Sequence, residues 1–213
     1  MRAFRLTHHN GKGPTSRTFV SALVVVMVAG HSGLSAPPLS TSPWTIGPII
    51  DGKNYSPGMP LHPIADGPTW HFDFPQTPGS VHYVTRNTFE PGRNMIRMRF
   101  RIEGSAEFKA TEASARAAVR LMIQRRGDTY SWDKASYRFW SGPVQLAPGE
   151  FVVEEALTPD RWTNVGGQTD PVGFRELLND LENVGFTFGG QFAGHGIYVI
   201  GAARFILTEY TLQ

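Results

Sequence analysis

The chain of 213 residues contains no cysteine. Disulfides, thiolate metal sites, a cysteine nucleophile and a lipid-modified cysteine anchor are therefore excluded, and a domain of this length can bury enough surface to fold without cross-links. Lysine is scarce too: Lys12, Lys53, Lys109 and Lys134 are the only four among 20 basic residues. The rest are arginines, whose planar guanidinium suits directed hydrogen bonding and stacking. No acidic residue precedes Asp51. No apolar run reaches the ~20 residues of a membrane span; the longest, Phe19 to Ala29, is about half that. A Gly-x-Ser-x-Gly elbow, a His-x-x-x-His pair and an EF-hand loop are all missing, which removes the sequence signatures of an α/β-hydrolase nucleophile, a helical zinc site and a calcium hand.

What is present begins with a leader. Arg2, Arg5, Lys12 and Arg17 precede the apolar run Phe19 to Ala29, and the small-residue stretch Gly33-Leu34-Ser35-Ala36 follows. This charged, apolar, small-residue order is that of a secretory signal peptide over residues 1–35, cleaved after Ser35 with Gly33 at the −3 position. A secreted or periplasmic location is expected, with no stable membrane span after cleavage. Loss of the leader leaves sixteen basic against eighteen acidic residues, a net of −2, although the whole chain carries +2 and a pI near 9.0. A basic nucleic-acid binder is excluded by that charge.

Residues 36–68 are rich in Pro and Gly and read as an extended lead-in, with Trp44, Ile46, Ile49 and Ile50 marking a part that packs. Residues 69–213 read as one β-sandwich domain. Strand signals recur at Trp70 to Phe74, Val81 to Arg86, Asn94 to Glu103, Ala117 to Arg125, Ser136 to Trp140, Glu150 to Leu157, Val184 to Phe188 and Ile197 to Tyr210. The third is the clearest: Ile96, Met98, Phe100 and Ile102 alternate with Arg97, Arg99 and Arg101. One helix is expected over 171–183, with Asp170 as N-cap, Pro171 in the first turn, and Phe174, Leu177, Leu178 and Leu181 on the packed side. The expected fold class is all-β, an antiparallel β-sandwich (jelly roll) with one short helix.

Two segments carry a family resemblance. Val184-Gly185-Phe186-Thr187-Phe188-Gly189-Gly190, then Gly194-His195-Gly196 and the closing strand Ala203 to Leu207, resemble the C-terminal part of galactose-binding-like jelly-roll domains of the carbohydrate-binding-module type. Leu157-Thr158-Pro159-Asp160-Arg161-Trp162-Thr163-Asn164-Val165 is similar to the segment before the helix in that group. The resemblance covers roughly residues 70–213 in layout. It implies a sandwich fold and sugar binding, and assigns no ligand residue, because members of the group bind on different faces and loops.

The residues point to function through their faces. Arg97, Arg99, Arg101, Arg120, Gln124, Arg138 and Trp140 all alternate with core positions. On neighbouring strands they would form one surface of planar donors beside an aromatic plate, matching the hydroxyl rims and C–H faces of sugars. Trp132 and Tyr130 would extend that plate, and the Gly-flanked His195 would present an imidazole from a turn. The competing reading makes the arginines a solvated sheet face balanced by Glu103 or Glu154. For catalysis, Glu154 and Glu155 are adjacent and point to opposite faces, so they cannot flank one glycosidic bond. No cofactor is expected; Asp128, Asp133, Asp160 and Asp170 lie in loops that would suit a structural calcium. The leading expectation is an exported, non-catalytic carbohydrate-binding domain with a glycan or polysaccharide as partner. The alternatives are a secreted jelly-roll polysaccharide-degrading enzyme (glycoside hydrolase or lyase) and a structural or interaction protein of the cell envelope.

Overall fold

The structure is a computed structural model and describes residues 44–87, 92–112, 115–190 and 195–213. The expected signal peptide (1–35), the start of the lead-in (36–43) and Gly194 lie outside the described residues.

The strands are β1 (Trp44–Ile46), β2 (Ile49–Ile50), β3 (Lys53–Asn54), β4 (Ile64–Asp66), β5 (Thr69–Asp73), β6 (Tyr83–Asn87), β7 (Met95–Gly104), β8 (Glu107–Ala110), β9 (Ala118–Arg125), β10 (Arg138–Trp140), β11 (Val144–Gln145), β12 (Gly149–Ala156), β13 (Thr163–Asn164), β14 (Leu181–Gly189), β15 (Ile197–Ile200) and β16 (Ala203–Leu212). The one α-helix among the described residues is α1 (Pro171–Asn179). A seven-stranded sheet runs β1-β6-β14-β9-β10-β13, with β11 also on β9, and a five-stranded sheet runs β12-β7-β16-β5-β4. Their pairings are antiparallel throughout. The expected antiparallel sandwich with a single short helix is the observed architecture.

The core forms because each long strand alternates. On β7, Ile96, Met98, Phe100 and Ile102 are buried while the arginines between them point out. Val119, Leu121 and Ile123 of β9 and Val184, Phe186 and Phe188 of β14 supply the opposite wall. Rings lock the sheets together: Phe186 and Phe205 lie 5.2 Å apart, Trp44 and Trp70 5.1 Å, and Phe72 and Phe188 6.0 Å in an edge-on pair. Two pieces of the lead-in belong to the sandwich, β1 at the edge of the seven-stranded sheet and β4 at the edge of the five-stranded one, while β2 and β3 pair only with each other and Ile49 is exposed.

Three local expectations are corrected. The last strand divides at Gly201-Ala202 into β15 and β16. A bulge between Leu207 and Glu209 then reverses the parity of β16, so that Tyr210 and Leu212 turn inward and Glu209 faces out. Tyr137 is not in a core-facing strand; it ends a 3-10 turn over Trp132–Tyr137, half-buried under the side chains of Arg125 and Lys134. The helix starts as expected, with the Asp170 carboxylate accepting the Gly173 N–H at 2.9 Å, but it stops at Asn179. Phe174 and Leu177 are fully buried, Leu178 is half-buried, and Leu181 already belongs to β14.

Candidate functional site

The seven alternating residues do not share a face. β7 lies between β12 and β16, whereas β9 lies between β14 and β10. Arg97, Arg99 and Arg101 therefore point away from one side of the sandwich, and Arg120, Gln124, Arg138 and Trp140 away from the other. Strand parity is local, but strand neighbours are set by long-range pairing, and here the two sheets place these groups back to back.

The outer face of the five-stranded sheet is a lattice of ion pairs. Arg97 reaches Glu154 on β12 and, at 3.2 Å, Glu209 on β16. Arg99 lies 3.9 Å from Glu209, Arg101 2.7 Å from Glu103, and Arg204 2.7 Å from Asp73. Each pair is partly open to water; for Arg97 and Glu154 the side chains are 27% and 44% exposed. This is the charge-balanced sheet face. Glu154 and Glu155 diverge as expected, the second pairing with Arg161 at 2.7 Å.

The outer face of the seven-stranded sheet is different. The register sets Tyr83, Thr187 and Arg120 in one row, then Thr85, Gly185, Met122 and Trp140, then Asn183, Gln124 and Arg138. Gly185 has no choice of side chain: a Cβ there would collide with the backbone of Val84 and Thr85 on β6. Over this floor fold two short segments. Tyr55, just after β3, and Tyr130, at a positive φ of 60°, bring their rings to 5.1 Å from each other. Tyr130 lies 5.1 Å from Tyr83, and Tyr55 5.9 Å from it. Tyr83, Met122, Trp140 and Val165 thus form a second apolar cluster outside the main core.

The expected open plate is therefore covered. Trp140 is 3% exposed, so no ligand ring reaches its face in this conformation. Trp140 belongs with Tyr83, Met122 and Val165 to an apolar cluster against which Tyr55, Tyr130 and Ala135 pack. Trp132, by contrast, is 72% exposed, and its ring edge lies against Gly166, beside Val165. His195 is exposed at the other end of the sheet, with Nε2 3.2 Å from the Glu112 carboxylate and its ring 6.3 Å from that of His82.

Beneath the tyrosines runs a polar network. The Arg138 guanidinium lies 3.3 Å from the Asp128 carboxylate, and the two side chains are 5% and 0% exposed. It also stacks 4.4 Å from the Tyr130 ring centre. Gln124 donates to Asp128 at 2.8 Å and accepts from Asn183 at 2.9 Å; Asp128 also accepts the Tyr130 backbone N–H at 2.8 Å. Burial pushes the phenols of Tyr83 and Tyr130 up, keeping both protonated, and burial, aided by His195 and Arg138, holds His82 well below the usual imidazole range. Trp140 Nε1, Arg138 Nε, Thr187 Oγ1 and His82 Nε2 are buried and find no hydrogen-bond partner among the described residues. Buried polar atoms are nearly always paired, so their gathering on one face marks it as unusual.

Among the described residues no cluster of three or more His, Asp or Glu is arranged to hold a metal. The loop aspartates are dispersed: Asp128 serves Arg138 and Gln124, while Asp170 caps α1 and accepts from Ser136. No helix among the described residues is long and apolar enough to cross a membrane.

Tyr55, Tyr83 and His82 were not singled out by sequence. Tyr83 carried a usable signal, an aromatic alternating with the core residue Val84. Tyr55 carried none, because its position depends on how the Pro-rich lead-in folds back.

Fold and site together define a two-sheet antiparallel β-sandwich with one charge-paired outer face and one aromatic, hydrogen-bonding outer face. No protein-family model matches the chain, and no curated protein matches it. Among solved structures the chain is similar to one described as xylan-binding module CBM15, at 18% identity and a TM-score of 0.40, with 80% of this chain and 95% of that chain covered. The role of each site residue follows from the geometry of this chain alone.

Proposed function

We propose that the chain is an exported, non-catalytic carbohydrate-binding domain that takes its glycan on the aromatic face of the seven-stranded sheet. The observation that carries this reading is the asymmetry of the two outer faces: among the described residues, this one gathers tyrosine and tryptophan rings over a buried polar network, and the other is a set of partly exposed ion pairs. Sugars offer C–H faces to rings and hydroxyl rims to polar groups. The exposed Trp132 ring and the half-buried Tyr55 and Tyr130 rings form the contact layer. Trp140, Tyr83, Arg138 and Gln124 lie below and hold that layer in place, a support that keeps contact groups rigid. Arg97, Arg99 and Arg101 are outside the site on this reading, and His195 flanks its far end.

The non-catalytic part is supported by the state of the nearby acids. Asp128 is engaged by Arg138 and Gln124, and Glu112 by His195. Hydrolysis of a glycosidic bond calls for an acid and a base or nucleophile facing each other across a groove. The export part rests on the leader at residues 1–35; mass spectrometry of the chain from a secreting host should show loss of about 35 residues. Intact Met1 on the exported form would refute it.

The test of binding is a panel of polysaccharides in affinity electrophoresis, followed by calorimetry of the retained polymer with Trp132→Ala. Truncating an aromatic anchor should weaken binding by ~2 kcal/mol or more. Unaltered affinity in a folded Trp132→Ala protein would remove this face from the proposal.

A further inference from the structure

A cleft of about 430 Å³ lies where β8, the start of β9 and the link from β11 to β12 meet. Its floor is Ala106, Ala117 and Leu146, all buried and all members of the main core, so it opens onto the packed interior rather than onto either outer face. Phe108 supplies a half-buried aromatic wall, held edge-on against Phe74 at 5.1 Å. The pairing of β11 with β9 continues past Gln145, as the Leu146 N–H donates to the Ala117 carbonyl at 3.1 Å. That register brings Arg116 and Gln145, both exposed, into the same lining. Arg116 is the one charged residue there, and among the described residues neither its guanidinium nor the Gln145 amide has a hydrogen bond or ion pair. Acids close by in sequence have other partners: Glu107 meets Lys109 at 2.5 Å and Glu112 meets His195 at 3.2 Å, while Glu150 lies in register with Arg101.

We infer that this cleft is a second binding site, separate from the aromatic face, and that it takes a hexuronate: a sugar ring bearing one carboxylate. The guanidinium presents parallel N–H donors in the geometry that a carboxylate accepts. One cation balances one negative charge, and no second cation lines the cleft to meet a phosphate dianion. The Gln145 amide both donates and accepts, as ring hydroxyls do. Phe108 and the apolar floor suit the C–H face of the ring. The volume falls toward the low end of small-molecule sites, ~300–1,000 Å³, which fits a ligand of monosaccharide or disaccharide size. An exposed ion pair contributes little by itself, so a bare carboxylate is held poorly. A neutral sugar leaves the guanidinium without its partner. The ring and the charge are needed together, and that combination defines the ligand class.

The experiment is an amide NMR titration of the exported protein, at matched ionic strength, with glucuronate, galacturonate, glucose, acetate and inorganic phosphate. A uronate should produce saturable shifts at Phe108, Arg116, Ala117, Gln145 and Leu146. Glucose, acetate and phosphate should each bind about tenfold more weakly or worse, since each lacks the ring, the carboxylate or the matching charge. Arg116→Gln should weaken uronate binding about tenfold or more, the loss of a charge-assisted hydrogen bond, and Gln145→Ala should weaken it less. Both side chains are exposed and unpaired, so both variants should keep the wild-type melting temperature. Trp132→Ala should leave the uronate shifts as they are. Acetate or phosphate binding as tightly as a uronate would make the cleft a plain anion site and overturn the sugar class. Glucose binding as tightly would overturn the role of the carboxylate. The site itself is overturned if neither uronate gives saturable shifts at these residues, if uronate binding survives Arg116→Gln, or if Trp132→Ala removes it.

Discussion

The two outer faces of the sandwich were built from similar strand patterns and ended in opposite states. On the five-stranded sheet, arginines alternate with core residues and stand in water beside glutamates on adjacent strands. On the seven-stranded sheet, Arg120, Gln124 and Arg138 alternate in the same way, yet all three are buried, and tyrosines from two loops close over Gln124 and Arg138. The same polar side chain is a solvated pair in one setting and part of a desolvated network in the other. Period-two alternation states which side chains avoid the core; it does not state that they meet solvent.

The core beneath should not distinguish the faces, and this sets the scale. Phe100→Ala on one sheet and Phe186→Ala on the other each remove a fully buried ring and should each destabilise by ~3–5 kcal/mol. Denaturant titration checks this; a loss below about 1 kcal/mol at either would mean that its sheet is not packed as described.

The polar pairs should then separate the faces. Asp128→Ala strands the Arg138 guanidinium in a dry setting and should cost ~3–5 kcal/mol. Glu154→Ala frees a partly exposed Arg97 and should cost under ~1 kcal/mol. Equal effects in the same titration would erase the distinction between buried network and solvated pair.

Acid should act through the aromatic face. His82 is held neutral by burial, with His195, Arg138 and Lys53 opposing its charge and the Tyr83 ring stacked 3.8 Å away. Its folded pKa is below the ~6.5 of a free imidazole, so under that pH the unfolded chain takes up a proton that the folded chain refuses. Stability contributed by neutral His82 is present above that value and declines as pH falls toward the folded pKa, by at most ~1.4 kcal/mol per pH unit. Melting curves of wild type and His82→Gln between neutral and mildly acid pH should diverge in slope, and parallel curves would exclude His82 as the cause. The smallest expected effect is Trp132→Ala on stability, within ~0.5 kcal/mol because the ring is mostly in water.

Much of the fold was legible in the sequence, and the limits have identifiable causes. β7 and β9 were clear because one face of each is apolar and the other polar. The helix start was clear because Asp170 and Pro171 are chemically suited to it. Its end was not, because Leu181 keeps helical spacing while serving β14. The parity reversal at Thr208 left no local mark, and Tyr210 owes its inward position to it. For the site, the residues opposite the core were legible and their grouping was not. Joining Arg99 to Trp140 needed β7 to share a sheet with β9 and β10, and that depends on pairings with residues 149–156, 181–189 and 203–212, far along the chain. The tyrosines that pack on the cluster of Tyr83, Met122, Trp140 and Val165 come from the lead-in (Tyr55) and a loop (Tyr130), where no periodicity exists to be read.

On the proposed reading one face recognises a glycan and the other does not. Calorimetry of a polysaccharide that the wild type binds, repeated with Trp132→Ala on the aromatic face and Arg99→Ala on the ion-paired face, separates the two. Trp132→Ala should weaken binding about thirtyfold or more, the equivalent of ~2 kcal/mol. Arg99→Ala should leave affinity unchanged, with both variants folded by circular dichroism. The reverse pattern, binding that depends on Arg99 and ignores Trp132, would contradict the assignment of the glycan to the aromatic face.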